Sequence, residues 1–305
     1  MSRRRKGRPI NGWIVIDKPQ DWTSTQIVGR IKRLTQAQKV GHAGTLDPLA
    51  TGILPLACGE ATKTVPYLVD AQKTYQFTVK FGAATDTDDC EGQVIETSDL
   101  RPSDQAITAA LPEFTGTIEQ TPPVYAAVKI NGERAYDLAR RGETVELAAR
   151  TVRIDRLSMV DRPDLDHAEF EMDCGKGTYV RALARDLGRK LGCLGHVVAL
   201  RRVAVGPFGE HNALTLSAFE QVTDGGHLSE CLIPLTTALA DIPAFAVTEP
   251  QAHRLRAGQA IRIGDHLTSA TIVDGVTVQA TCRGALVALT RFTAGELDPM
   301  RVFNH

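Results

Sequence analysis

The 305-residue sequence contains no apolar run that approaches the length of a membrane span. A spanning helix needs about 20 consecutive apolar residues. The apolar stretch nearest the start, residues 13–16, is followed at once by Asp17 and is too short for the apolar part of a signal peptide. With 43% hydrophobic and 23% charged residues, the composition is typical of a globular protein. We therefore expect a soluble cytoplasmic protein.

The sequence also lacks the cysteine and histidine spacings of metal sites. It has no Cys-x-x-Cys pair and no His-Glu-x-x-His. The acidic group at residues 86–91 lacks the full spacing of a calcium-binding loop, so we expect a solvated acidic turn there and no bound metal. Six scattered cysteines are expected to be reduced thiols: Cys58, Cys90, Cys174, Cys193, Cys231 and Cys282.

An excess of one charge is absent too, since 35 basic residues face 36 acidic ones and the net charge is −1. Binding to a polyanion depends on the local density of basic residues and not on the total. The basic residues gather in three groups: Arg3, Arg4, Arg5, Lys6 and Arg8; Arg134, Arg140, Arg141, Arg150, Arg153 and Arg156; and Lys176, Arg181, Arg185, Arg189, Lys190, Arg201 and Arg202. Each group fits either a nucleic-acid contact or a solvated face.

The hydrophobic pattern mixes strands and helices without the regular alternation of a doubly wound fold. It predicts an α+β fold with a largely antiparallel sheet. Predicted strands cover residues 12–17, 53–57, 74–81, 124–130, 152–160, 167–174 and 197–205. Predicted helices cover residues 27–34, capped by Thr23 or Ser24, and residues 61–69, 103–111, 134–141 and 179–191.

The texture of the sequence changes after residues 240–243. A short helix at 250–257 is followed by short strands near 260–263, 269–273, 276–281 and 285–292, separated by Gly and Asp turns. This pattern indicates a small β barrel. At about 150 residues per domain, the length also fits two domains.

Among the features that are present, residues 41–54 are the most informative, with the sequence Gly-His-Ala-Gly-Thr-Leu-Asp-Pro-Leu-Ala-Thr-Gly-Ile-Leu. Three glycines and a proline shape the backbone around a single carboxylate, Asp47, among apolar side chains. An ordinary Asp-Pro turn, in which Asp47 bonds its own backbone, is the simpler interpretation of the pair alone. The neighbouring Gly-His-x-Gly-Thr-Leu favours a shaped loop that holds one acid.

Further motifs along the chain point in the same direction as this loop. They are Asp17-Lys18-Pro19-x-x-x-Thr23-Ser24, Lys73-Thr74-Tyr75, Gly175-Lys176-Gly177-Thr178-Tyr179-Val180-Arg181, and Leu200-Arg201-Arg202. Together with residues 41–54, and in this order and separation, they resemble the motifs of the TruB family of tRNA pseudouridine synthases. The resemblance covers about residues 11–205. It implies a pseudouridine synthase-type mixed sheet with flanking helices.

The resemblance implies isomerisation of uridine 55 in the T loop of tRNA to pseudouridine, with no cofactor and no metal. The N1–C1′ bond would break, the uracil would turn, and C5 would bond to C1′. One carboxylate suffices because no water attacks, whereas a hydrolytic glycosidase usually needs a second carboxyl group. Asp47 would either attack C1′ or remove the C2′ proton to give a glycal, and both paths stay open.

The family motifs assign roles to particular residues. Arg181 would pair with Asp47 and keep it ionised. Tyr75 would stack on the target uracil, although it also fits the apolar face of its own strand. His42 would fill the space left by the flipped base, and Tyr179 and Leu200 would line the uracil pocket. Stacking of about 1–3 kcal/mol per base is the right size to offset base flipping.

Other residues are expected to contact RNA or to support the site. Lys18, with Pro19, would support the catalytic loop from beneath, beside the substrate. Further expected substrate or RNA contacts are Lys176, Arg202, Arg134, Arg140 and Arg141, the last three in a flexible thumb at about residues 120–152. The resemblance divides the chain into a catalytic domain, 1–241, and a PUA-like RNA-binding domain, 242–305, with Arg254, Arg256 and Arg262 as its candidate contacts.

Three other functions remain to be separated from this one. A tRNA-folding chaperone would need the same basic groups and Tyr75, with secondary or no isomerase activity. A uracil glycosylase would release free base. A relative that depends on a guide RNA is a third alternative, but the basic insertion favours recognition of tRNA without a guide or an obligatory protein. No extended apolar seam indicates a dimer, so a monomer is expected.

Overall fold

The computed structural model describes residues 7–126, 128–130, 133–134, 138, 141, 147–263 and 273–304. Its strands are β1 Gly12–Lys18, β2 Val40–His42, β3 Thr51–Cys58, β4 Lys73–Phe81, β5 Ala83–Thr85, β6 Val94–Thr97, β7 Gly116–Gln120, β8 Lys129–Ile130, β9 Glu133–Arg134, β10 Arg150–Asp161, β11 His167–Cys174, β12 Gly195–Val205, β13 Phe208–Gly209, β14 Leu214–Thr215, β15 Ala244–Ala246, β16 Ile261–Arg262, β17 Thr277–Cys282, β18 Ala285–Thr293 and β19 Glu296–Val302. Its α-helices are α1 Ser24–Thr35, α2 Val65–Asp70, α3 Asp104–Ala110, α4 Val180–Lys190, α5 Leu216–Asp224 and α6 Glu249–Arg256. Short 3₁₀ helices cover Gly59–Lys63, Leu111–Phe114, Glu210–Asn212, Leu228–Cys231 and Leu235–Leu239.

A mixed sheet of ten strands forms the larger part of the described molecule. Its main order is β14-β1-β3-β12-β4-β11-β10-β7, with β2 beside β3 and β13 beside β12. Only the β1–β14 and β3–β12 pairs of this sheet are parallel, and β3 meets β12 only at Thr51–Arg201 and Gly52–Arg202. The predicted α+β class with a large mixed sheet is confirmed. None of the described helices is long and apolar enough to cross a membrane.

The helices pack on the sheet through faces that the sequence prescribes. In β4, Phe77, Val79 and Phe81 are buried on one face, because side chains alternate along a strand. Helix α4 buries Leu183 and Leu187 in the same core cluster. A Cβ at Gly188 of α4 would lie 2.3 Å from the backbone nitrogen of Gly195 in β12, so glycine permits the close approach. This contact brings the last turn of α4 close to the start of β12.

The C-terminal strands form a second sheet, in the order β15-β17-β18-β19-β16. It is a half-barrel among the described residues, and residues 269–272 of one predicted strand lie outside them. Leu289 and Phe303 of this part are buried in one hydrophobic cluster with Trp13 of β1 and Phe208 of β13. The Gln279 side chain donates hydrogen bonds to the carbonyl oxygens of Leu239 and Ile242, at 2.9 and 2.8 Å. The two sheets therefore share part of their core.

Several sequence predictions of elements were wrong in detail. The helix expected at 61–69 is split into a 3₁₀ turn and α2, because Pro66 lacks an N–H and favours the first turn of a new helix. The strand expected at 124–130 is limited to β8, since residues 124–126 form a turn or bend. Arg134 was placed in a helix but lies in β9, where it pairs with Lys129 in a hairpin. Most of the remaining predicted helix, including Arg140, lies outside the described residues.

Candidate active site

A cavity of about 260 Å³ lies between the loop that follows β2, the start of β4 and the start of α4. It contains the single carboxylate of the sequence motif, because Asp47 is the one acidic residue of its described lining. The lining residues are Gly44, Thr45, Leu46, Asp47, Val69, Lys73, Tyr75, Gly175, Lys176, Gly177, Thr178, Tyr179, Val180, Arg181, Leu200 and Arg202. Four separate sequence motifs therefore meet at one site.

The Asp47 loop is shaped by glycines and held from both sides. Gly44 and Gly52 have φ angles of 107° and 101°, which favour glycine. The Ser24 hydroxyl accepts from the Leu46 N–H at 2.9 Å and donates to the Leu46 carbonyl oxygen at 3.1 Å. The simple Asp-Pro turn is therefore not a sufficient description, since the loop is fixed by residues far away in the chain.

Lys18 supports this loop from beneath, as the motif indicates. Its side chain is fully buried, and Nζ donates to the carbonyl oxygens of Pro19, Trp22 and Pro48 at 2.9, 2.7 and 3.2 Å. Burial lowers the pKa of Lys18 to about 8, while Asp47 works in the opposite direction. An RNA contact by Lys18 was also expected, but the buried side chain is out of reach of RNA in this structure.

Arg202 is buried in the same way, with 1% of its surface exposed. It donates to the carbonyl oxygens of Ile53 at 2.8 Å and of Gly44 at 3.2 Å. Its guanidinium group therefore ties β12 to both ends of the Asp47 loop. Arg202 also lines the cavity that contains Asp47, and the expectation that it contacts substrate or RNA stays a prediction.

Arg181 joins the catalytic loop to a second carboxylate. Its Nη2 lies 2.9 Å from Oδ2 of Asp47, and its Nη1 lies 3.3 Å from Oδ2 of Asp89. Two further hydrogen bonds go to the carbonyl oxygens of Thr87 and Tyr125. The Arg181 side chain is 5% exposed, whereas that of Asp47 is 35% exposed. The predicted ion pair is present, and it leaves the Asp47 carboxylate open to the cavity.

The acidic turn at residues 86–91 differs from its prediction. Asp88 and Asp89 are buried, at 9% and 2% exposure, and are not solvated. Asp88 lies 3.0 Å from Arg185, and burial raises its pKa against the effect of that cation. Arg181 and Arg185 are four residues apart on α4 and so point to one side. That spacing, matched to the adjacent Asp88 and Asp89, is the sequence signal that was missed.

Tyr75 and the apolar walls face the carboxylate. Tyr75 is half-buried and lines the cavity, although it also packs against the core cluster that contains Phe77. Burial raises the pKa of its hydroxyl, and nearby Arg202 opposes that change. Leu200 is 8% exposed and lines the same cavity. Tyr179 precedes α4, and its backbone N–H donates to the Gln120 side chain at 2.8 Å.

The remaining predicted contacts are distributed around this cavity. Lys176 is exposed at its rim and pairs with Asp70 at 2.8 Å. His42 lies in β2, two residues before Gly44, and is not part of the described lining. Its Nδ1 is buried without a hydrogen-bond partner, and burial lowers its pKa. Arg141 pairs with Glu133 at 2.7 Å, and Arg140 lies outside the described residues.

The geometry defines what the site can do. A partly exposed carboxylate that is held by a buried guanidinium group can act as a nucleophile or as a base. An aromatic ring and an apolar wall beside it fit a planar base. A second carboxyl group that could activate water is absent from the described lining. The arrangement therefore suits a reaction at a glycosidic carbon without hydrolysis.

Solved structures share this architecture. A crystal structure of a Cbf5-Nop10-Gar1 complex matches with a TM-score of 0.73 and 25% identity, over 96% of this chain and 85% of that chain. A structure of an H/ACA RNP bound to a substrate RNA containing 2′-deoxyuridine matches with a TM-score of 0.74 and 23% identity, over 100% and 92% of the two chains. The fold is that of a pseudouridine synthase.

Two family models match the sequence in succession. The model of the TruB family pseudouridylate synthase N-terminal domain matches residues 32–180, and that of the tRNA pseudouridylate synthase B C-terminal domain matches residues 181–240. Proteins named tRNA pseudouridine synthase B from Bradyrhizobium diazoefficiens and Agrobacterium fabrum are 56% and 52% identical, over 99% of this chain and 88% and 97% of theirs. The chain belongs to the TruB family and is an isomerase.

Proposed function

We propose that this chain isomerises uridine 55 in the T loop of tRNA to pseudouridine. The observation that carries the proposal is the cavity in which one ion-paired carboxylate, Asp47, faces Tyr75 and Leu200. Relatives named tRNA pseudouridine synthase B, at 52% to 56% identity, support tRNA as the substrate. The reaction is an internal rearrangement and requires no cofactor or metal.

In the proposed reaction the target uridine first leaves the T-loop stack, at a cost of a few kcal/mol. Tyr75 stacks on the uracil, Leu200 and Tyr179 line its pocket, and His42 fills the space left in the loop. Asp47 then either attacks C1′ or removes the C2′ proton, and the N1–C1′ bond breaks. The uracil turns and C5 bonds to C1′. On the first path the Asp47–C1′ bond breaks as C5 attacks, and on the second Asp47 returns its proton to C2′ as the C5–C1′ bond forms. C5 then loses its proton and N1 takes one up.

Arg181 pairs with Asp47 and orients it through this sequence. Its four described contacts, two carboxylates and two carbonyl oxygens, fix the guanidinium group before RNA arrives. A fixed cation requires little reorganisation when charge develops on the substrate. Tyr75 also lies where it can help to handle the C5 proton.

We propose that RNA is held by three regions of the chain. Lys176 at the cavity rim meets the T-arm backbone, and Arg134, Arg140 and Arg141 belong to a thumb at about residues 120–152. Residues 242–305 are a PUA-like domain that contacts the acceptor arm through residues such as Arg254, Arg256 and Arg262. The boundary of the catalytic domain at residue 241 is part of the same proposal. The enzyme works in the cytoplasm as a monomer.

The test is an assay with the purified chain and an unmodified tRNA transcript, without added RNA or protein. Pseudouridine should appear at position 55 with no change in RNA mass, as read by mass spectrometry and by carbodiimide-dependent stops of reverse transcriptase. Free uracil would instead indicate a glycosylase. Activity only after addition of a guide RNA would contradict autonomous recognition. A transcript with cytidine at position 55 is the matched control.

A further inference from the structure

A buried lysine in the cavity wall has no part in the chemistry above. Lys73 is the first residue of β4 and lies two positions before Tyr75, so the two side chains emerge on the same face of the strand. Both line the cavity that holds Asp47. Lys73 is only 6% exposed, although an unpaired buried ammonium group is costly.

The contacts of Lys73 explain where its charge is stabilised. Its Nζ donates hydrogen bonds to the carbonyl oxygens of Val69 and Ala71, at the C-terminal end of α2. The last carbonyl groups of a helix lack partners within the helix and attract cations. Val69 itself lines the cavity, so Lys73 connects one wall of the cavity to the strand that carries Tyr75.

The surroundings of the ammonium group are charged on several sides. Burial lowers the pKa of Lys73 to about 8, and the charged groups that act on it are Arg202 and Lys176, which lower the pKa further, and Asp70, which raises it. An apolar side chain of similar length would fill the space without this desolvation cost. The hydrogen bonds to the end of α2 are what such a side chain could not supply.

We propose that Lys73 is a positioning residue, which holds the Val69 turn of α2 at a fixed distance from Tyr75 and so sets the slot that receives the target base. This inference rests on the proposed function. Because Tyr75 would stack on the uracil in the cavity that Val69 also lines, movement of the Val69 turn would loosen the alignment of C1′ with Asp47. Alignment acts on the rate of the chemical step more than on RNA binding.

Lys73→Met removes the donors at nearly constant length, and Lys80→Met is the matched control on the same strand, away from the described cavity lining. In single-turnover assays on the full chain, Lys73→Met should lower the rate about tenfold or more while the Kd for tRNA changes by less than about twofold. Lys80→Met should keep the wild-type rate. Lys73→Arg, which keeps charge and donors, should recover part of the loss.

The outcomes separate this role from its alternatives. Equal rates for Lys73→Met and Lys80→Met would overturn the inference, as would a loss confined to tRNA affinity. If Lys73→Met does not fold by circular dichroism, Lys73→Gln takes its place under the same criteria. An inactive wild-type chain would instead contradict the proposed function. The role of Lys73 is tested by the ratio of the variant rate to the wild-type rate, so the two failures can be told apart.

Discussion

At the scale of single residues, the site combines one partly exposed carboxylate with buried basic side chains. Asp47 is partly exposed, whereas Arg181, Lys18 and Arg202 are buried around its loop. Most of their hydrogen bonds end on backbone carbonyl groups or on carboxylates, and Arg202 also bonds to the Tyr75 side chain. Each cation therefore fixes a position in the chain. The basic residues buried around Asp47 therefore help to build the site, and exposed Lys176 at the cavity rim is a proposed RNA contact.

Lys18 gives a prediction about pH at this scale. Burial lowers its pKa in the folded chain to about 8, from the usual value of 10.5. Between these two values the unfolded chain binds more protons at this position, so the contribution of Lys18 to stability increases as pH rises through the window. The free energy of unfolding of wild type minus that of Lys18→Met should therefore grow from pH 8 to pH 10.

Urea unfolding at pH 7.5, 9 and 10 measures this difference. The comparison of two chains cancels the buried thiols that both share, such as Cys58, whose pKa is raised by burial. Lys32→Met is the control, because Lys32 is exposed on α1. A difference that stays constant or shrinks with rising pH would contradict the buried position of the Lys18 ammonium group.

At the scale of elements, the site depends on the short parallel pairing of β3 with β12. Gly52 pairs there with Arg202, and a Cβ at Gly52 would lie 2.2 Å from the Arg202 carbonyl oxygen. Because the Arg202 side chain also holds the Asp47 loop, a shift of this crossing would displace the carboxylate. The position of the Asp47 loop therefore depends on the two paired positions between β3 and β12.

Gly52→Ala should destabilise the protein by about 2–4 kcal/mol, because it combines backbone strain at positive φ with a clash. It should also lower the isomerisation rate at temperatures where the chain stays folded. Gly29→Ala in α1 is the control, since nothing lies within 4 Å of its Cβ and alanine favours a helix by about 1 kcal/mol. Chemical denaturation and activity assays on both variants test this prediction. A Gly52→Ala protein with wild-type stability and wild-type isomerisation rate would contradict it.

The elements also show what the sequence could predict. The alternation in β4 and the helical spacing in α4 identified both elements to within one or two residues, because each has one buried face. The burial of Asp88 and Asp89 in residues 86–91 was not predicted, because an acidic run is expected to be solvated unless its basic partners on α4 are known. Helix α5, Leu216–Asp224, was missed, and the Pro66 break in the helix at 61–69 was overlooked.

The same limits apply to the site. The run at 41–54 and its relation to Arg181, Tyr75 and Leu200 could be inferred because the motifs carry the family resemblance. The inward direction of the Lys18 and Arg202 side chains could not, since a basic residue in a motif does not reveal whether its donors face carbonyl groups or solvent. Burial of these side chains depends on the packing of distant segments, so it cannot be predicted from the local sequence pattern.

At the scale of the whole molecule, the C-terminal sheet is packed on the rest of the chain through apolar side chains. Leu289 and Phe303 share a cluster with Trp13, and the Lys63 side chain donates to the Val302 carbonyl oxygen at 2.7 Å. An apolar shared core resists relative motion better than a polar contact. We therefore expect the two parts to unfold together.

Leu289→Ala should cost about 2–5 kcal/mol, as expected for a buried leucine, and should lower the midpoint of one common thermal transition. Val287→Ala, in the separate core cluster of the C-terminal part, should lower the same transition. Differential scanning calorimetry on the full chain gives the answer. Two transitions, of which only one responds to these variants, would contradict a shared core.

The central claim is that the Asp47 carboxylate carries out the isomerisation. The most direct test is the rate of pseudouridine formation by purified Asp47→Asn, which keeps the size of the side chain but removes its charge. The account predicts no detectable pseudouridine at position 55, with a tRNA Kd within about threefold of wild type. Preserved refolding of tRNA by this variant would reveal a separate chaperone activity. Pseudouridine formation by Asp47→Asn at a rate near that of wild type would contradict the account.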